Sequence, residues 1–275
     1  MVLPFDSLTH PLVIAHRGSM VLGPENTLYS FDLALAAGAD VLEMDVHPSA
    51  DGEIMVIHDS TVERTSNGTG DVKSLTRAEL QRLDFAWNFS LEAGSTPLRG
   101  QGIGIPTLDE VLKRYPDSHF SVDIKEDDPE FAAEVVGLIM KRAMRDQVIL
   151  GSFFPRIAKL LRAALPPVHL AADRPQAVRL LIASMGGPAI KGDLPSAYMI
   201  PDRLGILPVA TKGLIKRVHR AGRRAYFWTV DSEKTMRNLL RRGADGIISN
   251  RPDLLFAIRR ELRSDDERGT GEPMP

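Results

Sequence analysis

Eight short apolar segments that alternate with amphipathic helical segments predict a (β/α)8 barrel, or TIM barrel, for this chain. Its 275 residues suit such a barrel, which usually takes about 250. A doubly wound open sheet is the alternative fold, because alternation alone does not prove that the sheet closes. The predicted strands are 12–15, 41–46, 120–125, 148–152, 168–172, 197–200, 226–230 and 246–249.

The helices are predicted from apolar periodicity and from the residues that begin and end them. Helix 28–37 stops before Gly38 and a strand follows at once, and this order of helix, glycine and strand recurs at Gly222 and Gly243. Thr76 and Thr107 are each followed three residues later by glutamate, the spacing of a capping box, so helices are predicted to start there. Further helices are predicted over 129–145, 155–164, 175–185 and 252–263.

These elements predict a single domain over residues 1–263. Between the second and third predicted strands, residues 59–106 form a long region with little strand character. Residues 264–275 are charged, contain glycine and proline, and are predicted to be a disordered tail.

Composition limits the classes of partner. The net charge is −2, from 34 basic and 36 acidic residues, which predicts no nucleic-acid binding. No apolar run is long enough to span a bilayer and the N-terminus does not resemble a signal peptide, so a cytoplasmic protein without stable membrane insertion is expected. The absence of cysteine excludes disulfides and cysteine-based zinc sites. Peripheral membrane contact and the oligomeric state are left open.

Ionisable residues stand at the ends of the first two strands. His16 and Arg17 follow the apolar run 12–15, and Gly18 allows a tight turn after them. In strand 41–46, the two-residue period of a strand places Glu43 and Asp45 on one face. Two carboxylates on one face repel each other, and a hard divalent cation between them is the usual remedy.

A hairpin is predicted to bring a second histidine to this pair. Segment 54–57 follows the second strand too closely for a parallel crossover, so it must return antiparallel. If the turn is centred on Asp51 and Gly52, Asp45 lies opposite His58. Pro48 cannot donate a ladder hydrogen bond, so a slip of one residue is the alternative register.

Closed into a barrel, the C-terminal strand ends collect a set of ionisable and polar residues at one mouth. Three carboxylates without sulfur or nitrogen ligands suit Mg²⁺ or Ca²⁺ better than zinc. Two histidines beside a cation and an arginine suit phosphoryl-group hydrolysis, because one imidazole can accept a proton while the other donates one. The set comprises His16, Arg17, Glu43, Asp45, Asp123, Lys125, Ser152, Trp228 and Asn250.

Structural roles without chemistry are the alternatives for these residues. The carboxylates could form inert ion pairs with Lys125 and Arg17, and Trp228 alone is more often a core residue than a ligand platform. The basic residues between 212 and 224 are expected to form a solvated helix face, with a lipid-surface role as the minority interpretation. The aromatic segment 85–89 is expected to pack the loop that carries it onto the barrel, with a hydrophobic lid as the alternative.

The ordered motifs resemble the glycerophosphodiester phosphodiesterase family from His16 to Pro252. The matching motifs are His16-Arg17-Gly18, Pro24-Glu25-Asn26-Thr27, Gly38-Ala39-Asp40, Glu43-x-Asp45-Val46, Asp51-Gly52, His58-Asp59, Asp123-x-Lys125, Ser152-Phe153, Trp228-Thr229-Val230 and 246–249 (Gly-Ile-Ile-Ser). Each motif alone is weakly specific, whereas the ordered set is highly specific.

The resemblance implies roles for eight of these residues in a TIM barrel with an insertion after the second strand. It implies a divalent metal (Mg²⁺ or Ca²⁺, with Mn²⁺ as a further candidate) and the conversion of a glycerophosphodiester and water into glycerol 3-phosphate and an alcohol. A lysophospholipase D is the alternative enzyme and a phosphodiester-binding barrel the non-enzyme alternative. The implied roles are metal ligation by Glu43, Asp45 and Asp123, acid/base catalysis by His16 and His58, phosphate contact by Arg17 and Lys125, and a pocket aromatic at Trp228.

The chain departs from the family pattern at three places. Asp123 stands where glutamate is common, Asp231 where asparagine is frequent, and Ser249-Asn250 where a threonine–aspartate pair is common. The set of histidines and carboxylates remains intact, and substrate preference is the property that these changes affect.

Overall fold

The computed structural model describes residues 3–91, 94–164, 167–188 and 190–267. Their strands are β1 (Leu12–Ala15), β2 (Val41–Pro48), β3 (Ile54–Val56), β4 (His119–Ile124), β5 (Val148–Gly151), β6 (His169–Leu170), β7 (Ala197–Pro201), β8 (Arg203–Leu204), β9 (Leu207–Pro208), β10 (Arg224–Trp228) and β11 (Gly246–Ser249). Their α-helices are α1 (Leu28–Ala36), α2 (Arg77–Leu80), α3 (Leu108–Arg114), α4 (Pro129–Lys141), α5 (Pro155–Arg162), α6 (Arg174–Ser184), α7 (Lys212–Arg220), α8 (Glu233–Arg242) and α9 (Pro252–Glu267).

The described strands form a nearly closed parallel barrel. Eight of them are neighbours in the order β6, β5, β4, β2, β1, β11, β10 and β7. A bridge between Ala171 and Ala197 links the two ends of this order. Beside the bridge, the Ala172 N–H donates to the Ala197 carbonyl at 2.9 Å and the Ser196 N–H to the Leu170 carbonyl at 2.8 Å. The (β/α)8 prediction is therefore confirmed, and the open-sheet alternative is wrong.

The alternation predicted for β2 separates the core from the site. Leu42, Met44 and Val46 are fully buried among the apolar residues of the surrounding helices. Glu43 and Asp45 therefore occupy the opposite face, toward the barrel interior. Burial of one face fixes the position of the other, so the acidic pair cannot turn outward without exposing this core.

The hairpin of β2 and β3 has the slipped register, so the prediction that Asp45 faces His58 is wrong. Val46 pairs with Val56, and the Ile57 N–H donates to the Asp45 carbonyl at 2.9 Å. The cause is a three-residue turn, in which Ser49 pairs with Glu53. Gly52 takes the left-handed conformation, with φ +80°, at the last turn position, as three-residue hairpin loops require.

The insertion after β3 has a small core of its own. Buried side chains of β3 and of residues 57–105 pack together there, among them Met55, Val72 and Phe85. The capping boxes predicted at Thr76 and Thr107 are both formed. Phe85 is buried as expected for the aromatic segment, whereas Trp87 is partly exposed beside Arg99.

Two features near the ends of elements differ from the prediction. A separate two-stranded hairpin, β8 with β9, follows β7 and was not predicted. Helix α9 runs to Glu267, so residues 264–267 of the predicted disordered tail are helical, and 268–275 lie outside the described residues. Across the described chain, every helix is too short or too polar to cross a bilayer.

Candidate active site

The turn after β1 places His16 and Arg17 at the C-terminal mouth of the barrel. Gly18 has φ +82°, and a Cβ at this position would lie 2.4 Å from Ser30 Oγ, so the turn requires glycine. Arg17 also has a positive φ, of +51°, and its backbone N–H donates to Glu43 Oε2 at 2.9 Å. The turn is thereby fastened to β2.

Parallel pairing of β2 with β4 brings the predicted acids together around a lysine. Asp45 and Asp123 are directly paired in the register of the two strands. The Lys125 ammonium lies 2.9 Å from Asp45 Oδ1 and 2.5 Å from Asp123 Oδ2. Arg17 Nε lies 3.2 Å from the other Asp45 oxygen. Two cations therefore converge on Asp45, which is almost fully buried.

The carboxylates of this cluster have unequal proton affinities. Burial and the neighbouring Asp45 raise the pKa of Glu43 well above its ordinary value. Burial also raises the pKa of Asp123, against the opposing effect of Lys125. Burial acts in the same direction on Asp45, but Lys125 and Arg17 outweigh it and lower the pKa of that carboxyl. The cluster therefore holds more buried acid than its two cations neutralise.

This excess of acid fits a hard divalent cation. Carboxylate oxygens are the ligands that Mg²⁺ and Ca²⁺ prefer, and the raised pKa values of Glu43 and Asp123 show where further positive charge would be stabilising. Among the described residues no group of three acids or histidines is spaced to hold one ion, and Lys125 lies between Asp45 and Asp123. Metal ligation by Glu43, Asp45 and Asp123 stays a prediction.

His58 reaches the acidic cluster despite the slipped register. Its charge lowers the pKa of both Asp45 and Asp123, which places the imidazole within electrostatic range of the two carboxylates. The loop that carries His58 is held by His47, whose Nε2 lies 3.0 Å from the His58 carbonyl oxygen and whose Nδ1 lies 2.7 Å from Glu126 Oε1.

A chain of ion pairs connects His58 to the turn after β1. His58 Nδ1 lies 2.6 Å from Asp59 Oδ1, and the second Asp59 oxygen accepts from Arg64 Nε at 2.5 Å. The Arg64 nitrogens Nη1 and Nη2 donate to both oxygens of Glu25 at 2.7 and 2.8 Å, and Arg17 Nη1 donates to Glu25 at 2.9 Å. Burial opposes ionisation of Asp59, but Arg64 and His58 lower its pKa to about 2. The carboxylate can only accept, so His58 Nδ1 carries a proton.

His16 is held differently, by a neutral amide. Its Nδ1 lies 2.7 Å from Asn250 Oδ1, while Asn250 Nδ2 donates to Asp231 Oδ2 at 2.7 Å. The second Asp231 oxygen accepts from the Asn250 backbone N–H at 2.8 Å and from Ser249 Oγ at 2.9 Å. Because Asp231 fixes the amide orientation, Asn250 presents its oxygen to His16, and the proton of the neutral imidazole sits on Nδ1. Nε2 keeps a free lone pair.

Burial lowers the pKa of His16, and the charge of Arg17 lowers it further. The neutral imidazole is therefore favoured at this position. The two histidines consequently differ in electrostatic surroundings, since His58 touches an ionised carboxylate and His16 touches an amide.

An aromatic pair borders the cluster. The rings of Trp228 and Phe153 meet edge to face, with centroids 6.1 Å apart, and Lys125 Nζ lies 5.5 Å from the Phe153 ring centre. Trp228 is half-buried and is the last residue of β10, which places it at the mouth end of that strand. Ser152 was expected at the mouth. Its hydroxyl donates to the Ile124 carbonyl at 2.9 Å and accepts from the Phe154 N–H, so it stabilises the loop after β5.

Comparison with known proteins decides the family. The model of the glycerophosphoryl diester phosphodiesterase family matches residues 16–254. The chain is 31% identical over 256 residues to a glycerophosphodiester phosphodiesterase of Caldanaerobacter subterraneus subsp. tengcongensis, covering 91% of this chain and 98% of that protein. The chain belongs to the glycerophosphoryl diester phosphodiesterase family.

Solved structures of the family share the barrel. A glycerophosphodiester phosphodiesterase from Agrobacterium tumefaciens superposes with a TM-score of 0.70 at 28% identity, over 90% of this chain and 98% of that one. A phosphodiesterase from Oleispira antarctica, solved with its product sn-glycerol-3-phosphate, gives a TM-score of 0.71 at 25% identity, over 91% of this chain and 97% of that one. The family resemblance and the assignment as an enzyme are confirmed, and a non-catalytic barrel is not favoured.

For this member of the phosphodiesterase family, sequence reasoning missed one contributor to the site and left others without a role. Arg64 was not considered, because it lies 39 residues from Glu25 in the chain and no local periodicity links the two. Asn250 was expected at the mouth but without a role, and Asp231 was noticed only as a departure from the family pattern. Arg64 follows Asp59 by five residues in a stretch without strand character, and this proximity in sequence is the one feature that could have indicated an ion pair between them.

Proposed function

We propose that the chain hydrolyses glycerophosphodiesters to glycerol 3-phosphate and an alcohol, with His16 and His58 as its proton-transfer groups and a divalent cation as cofactor. The observation that carries this proposal is that two imidazoles interact electrostatically with the same carboxylate, Asp45. Their hydrogen-bond partners differ, since His16 contacts the amide of Asn250 and His58 the carboxylate of Asp59. The names of the relatives and the product bound to the Oleispira antarctica enzyme support the same substrate class.

His16 is proposed as the general base. Its proton is fixed on Nδ1 by Asn250, so Nε2 is free to take the proton of the oxygen that attacks phosphorus. Its lowered pKa keeps the imidazole neutral to lower pH than an ordinary histidine, which a base requires.

His58 is proposed as the general acid. Asp59 accepts from Nδ1 and fixes the orientation of the imidazole, and Arg64 keeps Asp59 ionised. Nε2 of the imidazolium can then donate its proton to the leaving alkoxide as the bond between phosphorus and that oxygen breaks. The proton accepted by His16 and the proton donated by His58 balance the hydrolysis.

Arg17 and Lys125 are proposed to offset charge on the phosphoryl oxygens, because both place a cation at the acidic cluster. Glu43, Asp45 and Asp123 would hold Mg²⁺ or Ca²⁺, with Mn²⁺ as a further candidate, and the bound ion would supply Lewis-acid polarisation of a phosphoryl oxygen. Trp228 is proposed to line the substrate pocket from the side of β10.

The proposal is tested by a substrate panel assayed with Mg²⁺, Ca²⁺, Mn²⁺ or a chelator. Release of glycerol 3-phosphate from glycerophosphocholine is expected only when a divalent cation is present. A lysophospholipase D is the second candidate, which the comparisons do not favour, and lysophosphatidylcholine is included in the panel to test it. Full turnover of glycerophosphocholine in the chelator would contradict the cofactor, and turnover of lysophosphatidylcholine alone would favour the second candidate.

Replacement of Asn250 should move the pH profile. In Asn250→Asp a carboxylate replaces the amide beside His16 Nδ1, which raises the pKa of the imidazole. A base works deprotonated, so the acidic limb of kcat/KM is expected to shift upward by ~1–2 pH units. Steady-state kinetics across the pH range, with glycerophosphocholine, measures the shift.

The double exchange Asp231→Asn with Asn250→Asp is the matched control for this variant. The single variant places two carboxylates, at positions 231 and 250, side by side, and they repel each other. The double variant removes this repulsion, because the amide at position 231 can donate to the carboxylate at position 250. The upward shift should persist in the double variant, while any loss of folding stability in the single variant should be reduced. An unchanged acidic limb in both variants would remove His16 from the role of base.

Removal of Arg64 should weaken catalysis through His58. In Arg64→Met, Asp59 keeps only His58 and Glu25 keeps only Arg17 as a charged partner, so the pKa of Asp59 rises from about 2 toward its ordinary value and the orientation of His58 loosens. We expect kcat to fall by ~10–100-fold, as for other partners of catalytic groups, with a smaller change in KM. Arg145→Met, which removes an exposed arginine paired with the adjacent Asp146, is the control and should be silent. Equal kinetics of the two variants would contradict the role.

A further inference from the structure

The hairpin of β8 and β9 projects apolar side chains into solvent. Leu204 pairs with Leu207 across a turn of Gly205 and Ile206. Leu204 is 52% exposed, Leu207 67% and Ile206 92%, although all three are large aliphatic residues. An isolated two-stranded hairpin of this kind gains little stability from its own contacts, and exposed apolar residues grouped in this way usually mark a binding surface.

The hairpin stands at the rim of the candidate active site. It begins one residue after β7, whose last residue, Pro201, is paired in register with Trp228. The Asp202 carbonyl accepts from the backbone N–H groups of both Val209 and Ala210, at 2.9 Å each, so the two feet of the hairpin are fastened to the end of β7. The apolar tip therefore lies on the same side of the barrel as the catalytic cluster.

A second exposed aromatic extends the apolar rim. Phe153 is 64% exposed, and its ring meets Trp228 edge to face at the mouth. Exposed apolar groups therefore follow both β5 and β7, and Trp228 at the end of β10 contacts Phe153. A surface that contacts this rim would lie directly over the opening of the site.

The charge of the hairpin indicates which kind of membrane surface it would bind. Residues 204–209 carry no charge, and Arg203 at the foot supplies one cation beside the acidic Asp202. The whole chain carries a net charge of −2, which offers no general attraction to an anionic membrane. A neutral apolar tip with one arginine at its base is complementary to a zwitterionic surface, in which phosphate groups lie just above an apolar interior.

Most of the basic residues between 212 and 224 lie away from this surface, and Lys212, the first residue of α7, is the one on the side of the mouth. Helix α7 leads away from the mouth, because a crossover helix runs antiparallel to the barrel strands, so its basic last turn lies at the far end of the barrel. Part of that charge is already bound: Arg217 donates to the carbonyls of Gly187 and Pro188, and Arg224 pairs with acids.

We propose that the β8–β9 hairpin inserts into a zwitterionic phospholipid surface and seats the mouth of the barrel on it. The inference rests on the proposed function in one respect: a site for glycerophosphodiesters recognises the headgroup that phospholipids share, so docking would present that headgroup at the opening. The insertion itself depends only on the exposed side chains of the hairpin.

Flotation with phosphatidylcholine vesicles tests the proposal. The wild-type chain should float with the vesicles, and Ile206→Asp combined with Leu207→Asp should lower the bound fraction at least ~10-fold, because two apolar anchors are replaced by charges. The matched control is Ile182→Asp combined with Met185→Asp. Those residues are 57% and 85% exposed at the end of α6, at the opposite end of the barrel, and their replacement should leave flotation unchanged.

The outcomes are distinct. Flotation that survives higher salt supports apolar insertion, whereas loss of binding in salt, equal loss in both double variants, or no flotation of the wild type would overturn the proposal. A wild-type dimer that becomes monomeric in the hairpin variant, seen by light scattering without vesicles, would instead assign the hairpin to self-association and overturn it too. Thermal melts of each variant control for folding. Because flotation measures binding, a chain that floats but hydrolyses nothing would count against the proposed function alone.

Discussion

Alanine at His16 or at His58 is expected to lower kcat for glycerophosphocholine by ~10²–10⁴-fold each, the usual contribution of a general acid or base. The two losses should differ in their pH dependence. His16→Ala removes the group that must be neutral, so the acidic limb of the profile should disappear. His58→Ala removes the group that must be protonated, so the alkaline limb should disappear. Initial-rate measurements across pH, with a saturating divalent cation, provide both readouts.

The leaving group offers a sharper version of this experiment. An activated diester whose alcohol has a low pKa needs little help from an acid. His58→Ala should therefore recover much of its rate on such a substrate, while His16→Ala should not. His169→Ala is the control. His169 is the first residue of β6, at the end of the barrel away from the mouth, where it contacts Asp146. Recovery by the wrong variant would exchange the two roles, and full activity in either variant would end the assignment of that histidine.

The barrel could be predicted from the sequence because each of its units carries its own local signal. Glycines at the ends of α1 and α8 and the capping residues Thr76 and Thr107 fix helix ends, and runs of buried apolar residues fix strands. The acidic face of β2 followed from its period, since Leu42, Met44 and Val46 had to be buried. These inferences use neighbours in sequence, for which the geometry is known in advance.

The two hairpins show what short sequence patterns could not predict. Asp51-Gly52 signals a turn, but a two-residue and a three-residue loop both place glycine in the left-handed conformation, and the structure has the longer one. Pro48 allows a slip of one residue, and the longer turn is stabilised by Ser49, whose Oγ donates to Asp51 and accepts from the Glu53 N–H. The hairpin at Gly205 did carry a signal, because glycine at the first turn position is typical of a two-residue loop.

Contacts between distant side chains were beyond the sequence. The prediction placed Lys125 on the same face as Asp123, but not between Asp123 and Asp45, since the register of β2 against β4 was unknown. Arg64 joins Asp59 to Glu25 across 39 residues through a loop of irregular structure. Such contacts depend on side-chain length and loop path, neither of which has a period that a sequence reveals.

Lys125 gives the most direct test of whether the acidic cluster holds a cation, because its removal affects stability as well as activity. In Lys125→Met the buried carboxylates of Asp45 and Asp123 lose the ammonium between them, and breaking a buried pair by removing one partner costs ~3–5 kcal/mol. For a chain of this size such a loss lowers Tm by roughly 6–20 °C.

The divalent ion then decides the interpretation of that loss. If Glu43, Asp45 and Asp123 hold the cation, Mg²⁺ or Ca²⁺ can replace the missing charge, so the deficit in Tm should shrink in the cation and be largest in a chelator. Lys113→Met removes an exposed lysine paired with Asp109 and should cost no more than ~0.5 kcal/mol under either condition. A deficit of equal size with and without the cation would show that the three acids do not form its site. Activity would still be lost in that case, since Lys125 is also proposed to contact the phosphate, and the melting curves therefore separate the two roles.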